Sequence, residues 1–109
     1  MDKRRPPRPA LVVHGGAWAI PDTEWKAHRD GVRQAIEVGW AILRDNGSAL
    51  DAVQATIAHL EDDPTFDAGL GSVLNREGRI EMDAALMDGR DLDVGAVACV
   101  NRVKNPIRL

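Results

Sequence analysis

Two stretches of helical spacing, separated by a single Asn46-Gly47 break, occupy residues 23–63 of this 109-residue chain. In the first, Trp25, Val32, Ile36, Gly39/Trp40 and Leu43 recur on one helical face. Thr23, just after Pro21-Asp22, is its expected N-cap, and Asn46-Gly47 its stop. The second begins at Ser48, where Ser48-Ala49-Leu50-Asp51 resembles a capping box with an Asp carboxylate in place of the usual Glu or Gln. Leu50, Val53, Ile57 and Leu60 form its apolar stripe, and Pro64 ends it. So short a break makes the helices antiparallel, and a pair of amphipathic helices needs another layer to cover.

The flanking segments supply that layer as strands. Ala10-Leu11-Val12-Val13-His14 is a short apolar run ended by Gly15-Gly16, the pattern of a buried strand entering a glycine loop. Val73-Leu74-Asn75 and Arg79-Ile80-Glu81-Met82 flank Arg76-Glu77-Gly78, an expected hairpin turn with Gly78 left-handed. Asp88-Gly89 marks another turn, and residues 94–100 read as a continuous buried strand. The expected class is α+β: two antiparallel helices on a mostly antiparallel sheet.

Composition excludes several roles. Hydrophobic residues are 44% and charged residues 28%, so the chain can bury a core. Its net charge of −3 argues for neither nucleic acid nor an anionic membrane as partner. Aromatics are only 4%, which leaves the core to Ala, Val, Leu and Ile. No apolar run approaches the roughly 18 residues that span a bilayer. One cysteine, Cys99, cannot pair within the chain and suits a reducing compartment, so the expected location is cytoplasmic. Residues 1–10, rich in Pro and Arg, read as a flexible basic arm without the hydrophobic stretch of a signal peptide, and residues 11–109 as one domain.

Individual motifs leave the chemistry open. His14-Gly15-Gly16-Ala17-Trp18 after a strand suits either a plain glycine turn or the oxyanion loop of an α/β-hydrolase. The hydrolase reading lacks a G-x-S-x-G, since Ser48 and Ser72 are the only serines. Glu61-Asp62-Asp63 ends the second helix against its dipole, which suits a solvated acidic loop or a bound hard cation with oxygen ligands. The G-x-G of Asp67-Ala68-Gly69-Leu70-Gly71-Ser72 lacks a third glycine and a following helix. Asp83, Asp88, Asp91 and Asp93 fit a solvated turn better than a catalytic cluster. His14, His28 and His59 have no metal-ligand spacing, and the latter two read as surface residues. Trp18, Trp25 and Trp40 read as packing anchors.

In sequence order the pieces say more. HGGAW (14–18), GSALDAV (47–53), LEDDPTFDAGLGSVLN (60–75), EMDAALMDG (81–89), VGAVACV (94–100) and VKNPI (103–107) together resemble the opening of the plant-type asparaginases, the isoaspartyl peptidase/L-asparaginases. The resemblance implies an αββα sandwich of the N-terminal-nucleophile hydrolases, made as one precursor that cuts itself to free an N-terminal threonine. That threonine's hydroxyl attacks a side-chain amide or isopeptide carbonyl, its own α-amino group acts as base, and water releases aspartate from the acyl-enzyme. It implies a homodimer of αβ units, asparagine or a β-aspartyl dipeptide as substrate, no organic cofactor, and a structural sodium ion.

Three groups carry over. His14, Gly15 and Gly16 resemble a loop beside the nucleophile that is linked to self-cleavage and active-site order. Residues 60–70 resemble a sodium loop, with the main-chain carbonyls of Leu60, Glu61, Asp63, Phe66, Ala68 and Leu70 as ligands. Asp67 stands where better-known members carry Asn to orient the threonine; ionised, it accepts but cannot donate a hydrogen bond. Trp18 stands where many have Gly. Thr23, Thr56 and Thr65 begin no strand after a cleavable bond, so no catalytic residue is expected in this chain. Asn105-Pro106 reads as a helix start with three residues after it, which marks the chain as truncated or as one segment of a larger unit that is inactive alone. The other reading is a non-catalytic remnant or assembly partner on the same scaffold.

Overall fold

A computed structural model describes residues 8–109. Among them are two α-helices, α1 (Trp25–Arg44) and α2 (Ala49–Asp62), a two-stranded antiparallel sheet of β1 (Met82–Asp88) and β2 (Asp93–Val100), and single 3-10 turns at Asp22–Glu24 and Pro106–Arg108. The α+β class is borne out at this level. Most of the expected basic arm, residues 1–7, lies outside the described residues.

The helix boundaries follow from local chemistry. Ser48 Oγ accepts the Asp51 N–H at 3.0 Å and donates to Asp51 Oδ2 at 2.7 Å, so α2 starts where its Ser-Asp pair predicts. At the end of α1, Asn46 takes φ +63°, its N–H bonds Leu43 O at 3.2 Å, and Gly47 N–H bonds Ile42 O at 2.8 Å. These bonds form a Schellman closure, with Asn46 rather than Gly47 left-handed. Thr23 does not cap α1. It lies inside the 3-10 turn that leads into the helix, and Glu24 holds the cap position without a side-chain bond.

The helices meet through small residues. α1 buries His28, Gly31, Ala35 and Gly39, while Trp25 and Trp40, expected as anchors, are 52% and 40% exposed. At Gly39 a Cβ would lie 2.0 Å from Thr56 Oγ1 and 3.1 Å from Ala52 O, so the Thr56 side chain and the α2 backbone together leave no room for a side chain there. A stripe of large residues is the usual sequence signal, but the contact needs a small-residue line. Ala35, Leu60 and Phe66 form the buried cluster, with Val13, Val32 and Ala68 packed against it.

Residues 10–14 differ from expectation. They carry no regular secondary structure and lie against the helices, Leu11 near Gly39 and Val13 against the core cluster, with Val12 exposed, and they pair with no strand among the described residues. The expected hairpin around Gly78 is reduced to its turn. Gly78 has φ +73°, Asn75 Oδ1 accepts the N–H groups of Glu77 and Arg79, both at 2.9 Å, and Asn75 N–H bonds Arg79 O at 2.7 Å. Asn75 thus satisfies locally the groups a longer ladder would use.

The regular hairpin forms around Asp88-Gly89 instead, pairing Asp88 with Asp93 through to Met82 with Val100. One extra residue in β2 makes a bulge, where Cys99 has φ +53° and its N–H donates to Asp83 Oδ1 at 2.7 Å. Residues 94–100 are a strand, yet not a buried one. Val94 is 63% exposed, because the described residues cover the sheet mainly where β1 meets α2 and the Pro106–Arg108 turn.

Asp88 holds the hairpin turn. It accepts Arg90 N–H at 3.0 Å and the Arg90 guanidinium at 2.6 Å, and these bonds, the side chain's first, keep its carboxyl below the ordinary value of 3.8. With the folded value below the unfolded one, the contribution is complete above the unfolded value and is lost as pH falls through the folded one. Asp88→Asn keeps an acceptor but removes that loss, so its stability should decline less steeply with acid. Parallel acid limbs for the two proteins in urea titrations would refute the assignment.

Candidate functional site

The extended segment 10–14 ends in a glycine turn, and its two glycines have different reasons. Gly16 has φ +99°, a conformation that disfavours any side chain, and its N–H donates to His14 Nδ1 at 3.3 Å. Gly15 is a close approach: a Cβ there would sit 2.7 Å from Val32 Cγ2 and 2.9 Å from Phe66 Cε1. His14 itself is exposed.

Beyond the turn, Trp18 lies edge-on to His28 with centroids 5.9 Å apart, and His28 edge-on to Phe66 at 5.4 Å. His28 is not on the surface. It is 7% exposed, and among the described residues its buried Nε2 has no hydrogen-bond partner; Glu24 Oε2 lies 4.0 Å away. Its helical spacing with Gly31 and Ala35 places it on the buried line of α1, which no large-residue stripe announces. His59 is likewise half-buried, with Nε2 enclosed.

The loop after α2 curls back on itself. Asp63, extended as a residue before proline should be, leaves the helix, and its Oδ1 accepts Thr65 N–H at 2.8 Å. Phe66 N–H bonds Asp63 O at 3.2 Å, Ala68 N–H bonds Phe66 O at 2.9 Å, and Leu70 N–H returns to Glu61 O at 2.7 Å. Carbonyl oxygens close around the glycines of the return limb. A Cβ on Gly69 would meet Glu61 O at 2.4 Å, and one on Gly71 would meet Pro64 O at 2.3 Å and Phe66 O at 2.4 Å. Of these three oxygens, Pro64 O lies outside the expected set.

The acidic side chains are otherwise employed. Glu61, 2% exposed, accepts Ile107 N–H on Oε1 at 3.0 Å, while Oε2 is buried without a partner among the described residues. Burial pushes its carboxyl above the ordinary value, opposed chiefly by the bond from Ile107. Asp62 takes Lys104 Nζ and Asn105 Nδ2, both at 3.0 Å, and these bonds hold its carboxyl down. Asn105 therefore does not cap the turn that follows it. Its amide bridges Ala58 O and Asp62 instead, while Pro106 does take the first position of that turn.

The structure brings Gly15 and Phe66 into contact but does not join all the expected site residues. Asp67 is exposed, and its Oδ1 accepts Val73 N–H at 3.0 Å, which fastens the return limb of the loop. Asp83, Asp88, Asp91 and Asp93 serve bulge and turn. No group of His, Cys, Asp and Glu side chains among the described residues is arranged to hold a metal. Sequence reasoning missed His28 and the Glu61 side chain. The signal for His28 was the run of small residues at i+3, i+7 and i+11 after it, Gly31, Ala35 and Gly39; Glu61 gave none, because its partner lies 46 residues away.

The asparaginase family model ("Asparaginase") matches residues 7–109. The chain belongs to that family. It is 52% identical over 102 residues to the isoaspartyl peptidase/L-asparaginase of Macaca fascicularis, covering 93% of this chain and 33% of that protein. The same-named protein of Danio rerio is 52% identical over 93% of this chain and 33% of its own length. The plant-type L-asparaginase of Pyrococcus horikoshii is 54% identical over 90% of this chain and 32% of its own length. The chain thus spans about a third of the relatives it matches. Among the described residues no helix is long and apolar enough to cross a membrane.

Proposed function

We propose that this chain is the opening part of an αββα amidohydrolase that hydrolyses asparagine or β-aspartyl peptides through an N-terminal threonine supplied by a later part of the precursor. The observation that carries the reading is about 50% identity, over more than nine-tenths of the chain, to proteins named isoaspartyl peptidase/L-asparaginase. The helix pair beside an antiparallel hairpin supports the sandwich, each element supplying part of one α and one β layer. The exposed faces of β2 leave room for the remaining strands, and the complete protein works as a homodimer of αβ units. An exposed, unpaired Cys99 suits a cytoplasmic location.

Within that enzyme the chain supports the site rather than reacting. The glycine turn His14-Gly15-Gly16 borders the nucleophile and Asp67 faces the threonine hydroxyl as an acceptor, with its charge and the bulk of Trp18 narrowing the choice of substrate. The loop of residues 60–70 holds a sodium ion through the carbonyls of Leu60, Glu61, Asp63, Phe66, Ala68 and Leu70. What supports this is the packing of three main-chain carbonyls, those of Glu61, Pro64 and Phe66, against Gly69 and Gly71 just past the negative end of α2, since carbonyl oxygens suit a hard cation. Each carbonyl that already accepts one hydrogen bond keeps a second lone pair. Sodium there stiffens the loop and supplies no chemistry to the reaction.

The test is an assay of two proteins on asparagine and on β-aspartyl dipeptides. Residues 1–109 alone should give no turnover, since loss of a covalent nucleophile costs on the order of 10⁶-fold in kcat in a serine protease. The frame read onward from the Leu109 codon to a threonine-led strand should cleave itself and hydrolyse both. Turnover by the 109-residue chain refutes the supporting role. A complete, self-cleaved protein inert on both substrates refutes the activity and leaves a scaffold partner.

A further inference from the structure

We propose that the Phe66 ring is a positioning device that transmits occupancy of the carbonyl loop to the glycine turn at His14-Gly15-Gly16. The inference rests on the sodium reading above and deepens it. Phe66 belongs to both places. Its backbone is fixed within the loop by bonds to Asp63 O and from Ala68 N, and its carbonyl faces Gly71. Its ring, 4% exposed, leaves the loop and joins the core cluster of Ala35 and Leu60, with Val13 and Val32 packed against it.

Two glycines border the ring. A Cβ on Gly15 would lie 2.9 Å from Phe66 Cε1, and one on Gly31 would lie 2.6 Å from Cε2 and 2.8 Å from Cζ. The ring is therefore gripped between the glycine turn and α1, with His28 packed edge-on against it. Side chains around a core aromatic can change rotamer to absorb a shift, whereas glycine backbone beside it has no rotamer to change. A shift of Phe66 on ion binding would be passed through the ring to Gly15, and the neighbouring Gly16, at φ +99°, is where the turn can yield. Trp18 is tied into the same stack through His28.

The experiment is hydrogen–deuterium exchange on the complete protein in sodium chloride against choline chloride at equal ionic strength, reading the peptides that cover residues 12–18 and 61–72. In the native protein sodium should slow exchange in both peptides, by about fivefold or more, the lower end of coupling between sites. Phe66→Leu keeps the main-chain ligands and an apolar side chain but loses the ring. It should retain the slowing at 61–72 and lose it at 12–18. Phe66→Met serves the same purpose should the leucine variant not fold.

Slowing confined to 61–72 in the native protein overturns the coupling and leaves the ion loop standing. Slowing in neither peptide overturns the sodium reading and this inference with it. If the leucine or methionine variant keeps the effect in both peptides, or loses it in both, the ring is not the link.

Discussion

Gly39→Ala is expected to destabilise the fold by about 1–3 kcal/mol, the usual cost of overpacking a tight interior. The opposing effect is real, since Ala is favoured over Gly in a helix by about 1 kcal/mol. Geometry decides the sign. The new methyl would lie 2.0 Å from Thr56 Oγ1, which is held by its bond to Ala52 O at 2.7 Å, with Ala52 O and Leu11 Cδ2 also at 3.1 and 2.9 Å. The two helices must separate, and the cluster of Ala35, Leu60 and Phe66 loosens with them. Thr56→Ala removes the nearest atom, so the double variant should be more stable than the sum of the single effects predicts. Urea denaturation of the four proteins measures it. Strict additivity, or a Gly39→Ala protein as stable as the parent, would show that the helices do not meet at this point.

The second large effect lies at Glu61. Glu61→Ala leaves the buried Ile107 N–H without its acceptor, a loss of about 1–3 kcal/mol, and vacates buried space beside Ile107. Glu61→Gln retains an oxygen for Ile107 and dispenses with a charge that burial disfavours, so it should stay within about 1 kcal/mol of the parent. The contrast between the two variants carries the meaning. Amide exchange at Ile107 should accelerate in the alanine protein alone. Equal stabilities for Glu61→Ala and Glu61→Gln would mean that the bond does not hold the turn.

Legibility from sequence tracked the range of the interaction involved. Ser48 with Asp51, Asn46-Gly47, Pro64, Gly78 and Asp88-Gly89 act within a few residues of themselves, and each stands at or beside the boundary it predicts. The interior face of α1 was misread, because pattern reasoning weights large apolar residues while Gly31, Ala35 and Gly39 mark the contact. Strand pairing fared likewise. Residues 10–14 and 73–75 have strand composition, but a strand is defined by its partner, and none lies among the described residues. Of the candidate site, the glycine turn and the carbonyl loop were legible as motifs. Their meeting through Phe66 was not, since half a hundred residues separate Gly15 from that ring in the chain.

The clasp between Glu61 and Ile107 also bears on the order of assembly. The helix contact at Gly39 and Thr56 and the hairpin bond from Cys99 to Asp83 each close a short span, 16 residues in the latter case. The Glu61 clasp closes 46. At about 0.6 kcal/mol per doubling of loop length, it costs about 1 kcal/mol more in chain entropy than the hairpin bond. Helix pair and hairpin can thus mature separately, with residues 101–107 drawn in last. That late step brings the hairpin beside α2 and so sets the platform on which any further strand must be laid.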